Sequence, residues 1–110
     1  EKEGETTSEI AENNGAIANM QDDAMVEVVC ELGINGPRPM SVGNIPQFYL
    51  GLLVQQVSCE KLLVDAYYEH SYQKALEAFT LNRLINDAKV ARKILDALIE
   101  ANKGMWPELK

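Results

Sequence analysis

The sequence predicts an α+β protein: a small, largely antiparallel β-element over about residues 10–42, packed against three α-helices at about 46–69, 71–80 and 87–103. Three observations carry this. Residues 25–32 follow a period of two, with Val26, Val28, Cys30 and Leu32 on one face and the acids Glu27 and Glu31 on the other, the period of a half-buried strand. From Gln47 to Glu69 the polar residues Gln55, Ser58, Lys61, Asp65 and Glu69 recur at steps of three and four among apolar ones, the period of a helix. Beyond residue 70, capping residues and a Gly-Pro stop cut the remainder into two shorter helices.

The 25–32 strand places Val26, Val28, Cys30 and Leu32 on one face and Met25, Glu27, Val29 and Glu31 on the other. Upstream, Asn13-Asn14-Gly15 marks a turn, because Asn and Gly tolerate positive φ. Residues 1–11 are polar and are expected to form a loose end. Downstream, Asn35-Gly36-Pro37 breaks the strand, and Met40-Ser41-Val42 is expected to return antiparallel to it. Pro37 and Pro39 confine that return to an edge or a loop.

Pro46 suits the first position of the first helix. The polar stripe of that helix is narrow, so the sequence expects apolar cover on most sides, from another part of a longer chain or from another subunit. Ser71 is the expected N-cap of the second helix, whose apolar stripe is Tyr72, Ala75, Leu76 and Phe79. Asn86 or Asp87 caps the third. Its expected inward face is Ala91, Ile94, Leu95, Leu98 and Ala101, and Lys103-Gly104 with Pro107 ends it.

The 110 residues carry a net charge of −7, unevenly placed. Nine acids and one base fall in residues 1–31, and eight acids and nine bases in residues 32–110. No basic patch serves a phosphate backbone, which argues against nucleic acid as a partner. No apolar run approaches the roughly 20 residues of a membrane-spanning helix. Two cysteines, Cys30 and Cys59, make no disulfide framework and predict a reducing, cytoplasmic setting. The chain opens at Glu1 rather than Met, as a processed protein or a fragment would.

No catalytic constellation emerges from the residues themselves. Two cysteines and one histidine cannot close a four-ligand zinc site. His70 sits at a helix junction and reads as a cap or surface residue before a metal ligand. Asp22-Asp23 reads as a polar turn, Trp106 as packing for a terminus, and Tyr67, Tyr68 and Tyr72 as core and rim. There is no Gly-rich phosphate loop.

Six segments in order do carry a resemblance: ENNGAIANM, DAMVEVVC, NGPRPMSVGNIPQF, LLVQQVSCEKLLVDA and LIEANKGMWPEL, with the V-G-x-x-P helix start embedded in the third. Over residues 12–109 they resemble the C-terminal region of glycoside hydrolase family 4, and A-M-V-E-V with I-P-Q-F is most similar to the 6-phospho-α-glucosidase branch that cleaves maltose 6′-phosphate. The resemblance implies that residues 12–110 are the C-terminal part of a sugar-phosphate domain like the second domain of lactate and malate dehydrogenases, preceded in the whole enzyme by a Rossmann domain. It implies NAD and a divalent metal, manganese by the family's habit, in the parent enzyme and none bound to this piece. The implied reaction is oxidation of the sugar at C3, loss of the C2 proton, elimination of the glycosidic oxygen, addition of water and return of the hydride. The family's dinucleotide loop, metal ligands, base and phosphate-binding arginine belong to motifs upstream of this region, so no residue here is assigned as catalytic, cofactor-binding or metal-binding. Asn13 and Asn14 lie in a matching motif and are the candidates for a wall of the substrate pocket. The expected partners are the N-terminal NAD-binding part of the same protein, a phosphorylated disaccharide, and further copies in a homo-oligomer. The alternatives are a 6-phospho-β-glucosidase of the same family, a stand-alone helical interaction module, and a relative that binds sugar phosphate without turning it over.

Overall fold

Three antiparallel strands and three helices make up the computed structural model, which describes residues 4–110: β1 (Thr6–Glu12), β2 (Met25–Gly33), β3 (Gly36–Pro39), α1 (Gln47–Glu69), α2 (Tyr72–Leu81) and α3 (Ala88–Ala101). This is the α+β class expected. The chain divides into two compact units, one ending at Leu53 and one spanning Val54–Lys110, with α1 continuous across the division.

In the first unit the sheet order is β1-β2-β3. β2 is the central strand, and Val26, Val28 and Cys30 are buried on the face the alternation predicted, while Met25 and Val29 stand exposed on the other. The loose end expected for residues 1–11 is corrected. Thr6–Glu12 is a strand, in register with β2 from Thr6 opposite Glu31 to Glu12 opposite Met25. Its polarity misled because β1 is an edge strand whose side chains are at best half-buried. Such a strand is held by the ladder to its neighbour rather than by an apolar face. The part of that expectation on residues 1–3 lies outside the described residues.

The return strand is also corrected. It is Gly36–Pro39, not Met40–Val42, with Gly33 opposite Gly36 and Cys30 opposite Pro39. Ile34 and Asn35 make the turn, and Gly36 takes φ 93°, the left-handed residue that follows a tight turn in such hairpins. Both prolines fit because β3 is an edge strand, where a missing N–H leaves no gap in the sheet interior. Met40 still donates from its N–H to Val29 O at 2.9 Å.

The helices fall within about two residues of their expected ends. α1 starts one residue late: Leu50 N–H donates to Pro46 O at 3.0 Å, so Pro46 precedes the first helical residue. α1 ends in a Schellman arrangement, with Ser71 N–H donating to Ala66 O at 3.0 Å and His70 at φ 56°. Ser71 caps α2 by accepting from Lys74 N–H at 3.2 Å. Asp87 caps α3 by accepting from Lys89 and Val90 N–H at 2.8 and 3.0 Å. Gly104 takes φ 87° just past the end of α3.

The core of the second unit joins Ala66, Ala75, Leu76, Ala91 and Leu95, with Tyr72, Phe79, Ile85, Ile99 and Leu109 against it. The alanines let the helix backbones approach closely. The expected inward face of α3 is only half realised: Ala91 and Leu95 are buried, whereas Ile94, Leu98 and Ala101 are exposed.

Candidate functional site

The most organised polar element is the loop from Asn13 to Ala24. Ala16 N–H donates to Asn13 O at 2.8 Å across Asn14 and Gly15, whose φ values are 41° and 84°. Two successive left-handed residues make a type I′ turn, for which Asn-Gly is the favoured pair. Asn13 itself is 1% exposed. Its Nδ2 donates to Ile17 O, Met20 O and Gln21 O at 3.0, 3.1 and 3.1 Å, and its Oδ1 accepts from Ile17 N–H at 2.8 Å. One amide thus ties three turns of loop together, while Ala16, Ile17, Met20 and Ala24 bury their side chains around it.

A second clamp fixes the loop to the chain entering α1. Asn19 Nδ2 donates to Ile45 O at 2.9 Å, and Ile45 N–H donates to Asn19 Oδ1 at 3.0 Å. Val42 N–H donates to Ala16 O and Ala18 N–H to Gly43 O, at 2.7 and 2.9 Å. Sequence reasoning missed Asn19. Nothing in its local spacing distinguishes an amide that mimics a strand partner from an exposed loop residue.

The two candidate pocket residues therefore meet in one turn but differ in availability. Asn13 has its donors and acceptor engaged by its own loop, and among the described residues no buried side-chain N or O lacks a partner. Asn14 is at the surface, where its Nδ2 reaches Glu12 Oε2 at 3.3 Å.

The remaining titratable groups have structural surroundings. His70 forms the left-handed end of α1, and its carbonyl accepts from Lys110 N–H at 2.8 Å. Asp22-Asp23 lies in the turn before β2, as expected. Cys30 and Cys59 are both free and buried, and burial pushes the Cys59 thiol upward, away from the reactive thiolate. Tyr72 donates to Asp96 Oδ1 at 2.7 Å, and that bond raises its phenol above its ordinary value. Lys74 bridges Glu69 at 2.8 Å and Asp65 at 3.6 Å; the bond to Glu69 raises it. Among the described residues no group of three or more His, Cys, Asp or Glu could hold a metal ion. No helix is long and apolar enough to cross a membrane.

The second unit holds an apolar cavity of about 440 Å³, lined by Leu63, Tyr67, Phe79, Leu98, Trp106 and Leu109 among others. Its walls carry almost no polar group to orient a small polar ligand. Trp106, expected to pack the terminus, forms part of this wall and is 40% exposed.

Comparison with known proteins identifies what these elements belong to. Residues 1–85 match the family described as Family 4 glycosyl hydrolase C-terminal domain. The chain is 57% identical over 106 residues to the maltose-6′-phosphate glucosidase of Bacillus subtilis, an alignment covering 96% of this chain and 24% of that protein. It superposes with a TM-score of 0.94 and 84% identity on a 6-phospho-α-glucosidase from gut microorganisms in complex with NAD and Mn²⁺, covering 97% of this chain and 25% of that one. The 6-phospho-β-glucosidase of Thermotoga maritima, solved with NAD and glucose 6-phosphate, superposes with a TM-score of 0.86 at 28% identity, covering 96% of this chain and 26% of that one. The chain spans about a quarter of the length of these relatives. It belongs to glycoside hydrolase family 4, the family to which its ordered motifs pointed.

Proposed function

We propose that this chain is the C-terminal part of an NAD- and manganese-dependent 6-phospho-α-glucosidase that hydrolyses 6-phospho-α-glucosides such as maltose 6′-phosphate. Within that enzyme it supplies scaffold, not chemistry. The observation that supports the substrate class is the higher identity to the maltose-6′-phosphate glucosidase of Bacillus subtilis, 57%, than to a probable 6-phospho-β-glucosidase of the same organism, 43%.

The residues present do not fit the implied cofactors. They offer no metal-ligating cluster among the described residues and no Gly-rich dinucleotide loop anywhere in the sequence. Binding of NAD and metal is therefore assigned to the N-terminal part of the enzyme, and this chain alone is inactive. Its contribution to the substrate pocket is positional. Asn13 holds the loop of residues 13–24 in one shape, and Asn14, with its amide at the surface, is the member placed to meet a substrate. The setting is cytoplasmic, in keeping with two buried free thiols, and the enzyme is a homo-oligomer, in keeping with the uncovered apolar surface of α1 and α3.

The test is to assay the full-length protein carrying this segment against maltose 6′-phosphate and cellobiose 6′-phosphate with NAD and Mn²⁺. Faster turnover of the α-linked substrate supports the reading. A preference for the β-linked one replaces it with the 6-phospho-β-glucosidase of the same family. Loss of kcat/KM in Asn14→Ala without loss of folded structure supports the pocket assignment, and unchanged kinetics removes it.

A further inference from the structure

Residues 16–18 run beside residues 42–43. Val42 N–H donates to Ala16 O, Ala18 N–H donates to Gly43 O, and Ile17 bridges Gly43 in the parallel sense. Two residues further on the main chain leaves that pairing, because Met20 N–H turns back to Ile17 O at 3.2 Å. A side chain supplies the rung that the main chain gives up. Asn19 offers Ile45 both a donor and an acceptor, at 2.9 and 3.0 Å, as a peptide group would. Among the described residues, no other hydrogen bond joins residues 44–46 to this loop.

Asn13 and Asn19 hold the loop in different senses. Asn13 closes it on itself through Ile17, Met20 and Gln21. Asn19 ties the closed loop to the chain just before α1, 26 positions on. Both polar ends of its amide go to one distant residue, although Asn19 is exposed and has water as an alternative partner. Hydrogen bonds at the surface add little to stability. Two of them in fixed geometry do set a position. Met20 and Gln21, which follow Asn19, offer carbonyls to the Asn13 amide, and Asn14 is the next residue. A shift at Asn19 therefore reaches Asn14 through covalent neighbours and two hydrogen bonds.

We propose that Asn19 is a positioning residue of the substrate pocket: its clamp on Ile45 sets where the loop of residues 13–24 stands against a phosphorylated disaccharide. The inference rests on the reading of that loop as a pocket wall. A wall that contacts substrate alike before and during the reaction acts on KM and leaves kcat alone. A small misplacement of such a group is enough to lose its contact.

The experiment is steady-state kinetics of the full-length protein carrying this segment, on maltose 6′-phosphate with NAD and Mn²⁺, with circular dichroism to check folding. Asn19→Ala raises KM about tenfold and changes kcat less than about twofold. Asn102→Ala, which removes an exposed amide bond to Leu98 O of 2.7 Å in the second unit, changes neither. Asn14→Ala combined with Asn19→Ala raises KM no more than the larger single effect. An unchanged KM in Asn19→Ala, loss of its folded spectrum, an equal rise in Asn102→Ala, or a double variant worse than either single one overturns the proposal. If Asn14→Ala is silent while Asn19→Ala raises KM, Asn14 leaves the pocket and Asn19 keeps its role through the loop backbone. If the wild type prefers cellobiose 6′-phosphate, the same ratios on that substrate uphold the clamp while the α-glucoside reading falls. A wild type that turns over neither overturns both.

Discussion

The two units solve the problem of a small core in opposite ways. Up to Leu53, the shape is specified by polar groups: a buried amide at Asn13, a second clamp at Asn19 and a three-stranded ladder, with a few small apolar side chains packed around them. From Val54 onward, the shape is specified by close packing of alanines and leucines between helices, and large apolar side chains remain outside: Leu63, Val64, Tyr67, Leu84 and Met105. A satisfied buried network defines one geometry but adds little net stability. Apolar packing adds stability but leaves a surface that something else must cover. The first unit is thus built to hold a loop, and the second to be held by neighbours.

The sharpest way to break this contrast is in the helical core. Leu95→Ala, at a position 1% exposed, should cost about 3 kcal/mol in a urea titration. Ile94→Ala, one residue away on the uncovered stripe, should cost less than about 1 kcal/mol in the isolated chain. Equal effects would mean that the stripe is not free. Next in size is Asn13→Ala, which strands three carbonyls and one N–H and should cost about 2 kcal/mol; hydrogen exchange should rise within residues 16–24 and leave α2 and α3 unchanged. Asn13→Asp should be worse than Asn13→Ala at neutral pH, because it turns a carboxylate toward three carbonyls.

Smaller still is Asp87→Ala, a lost helix cap, at about 1 kcal/mol by thermal denaturation. The smallest is Tyr72→Phe, at about 0.5 kcal/mol, since its bond to Asp96 is solvent-exposed. Its sign with pH is definite. The folded phenol holds its proton more tightly than the unfolded one, so the stabilisation is complete below the unfolded phenol pKa and fades as pH rises through the raised folded value. The stability gap between wild type and Tyr72→Phe should therefore stay constant through neutral pH and close in strong alkali.

Elements whose reasons are local were legible in the sequence. The alternation of β2, the caps Ser71 and Asp87, and the Gly104 stop each depend on residues within one turn of one another. β1 was not legible, because an edge strand with polar residues on both faces has no periodic apolar signal, and its partner lies about 20 residues on. The return strand was misplaced because Pro37 and Pro39 forbid a central strand but permit an edge one, and composition alone does not tell which edge is open. The turn at Asn13-Asn14-Gly15 was readable, whereas the division of labour within it was not. Only the fold shows that Ile17, Met20 and Gln21 turn their carbonyls toward Asn13 and leave Asn14 outside. The exposed half of α3 looked like core for a physical reason: an apolar stripe has the same period whether or not its own unit covers it.

Whether this chain supplies scaffold and the chemistry lies elsewhere is tested most directly by comparing hydrolysis of maltose 6′-phosphate, with NAD and Mn²⁺ present, by the 110-residue chain and by the full-length protein that carries it. The account predicts turnover by the full-length protein and none by the chain alone. Turnover by the chain alone would contradict it, since that would require a catalytic centre among residues to which no such role is assigned here.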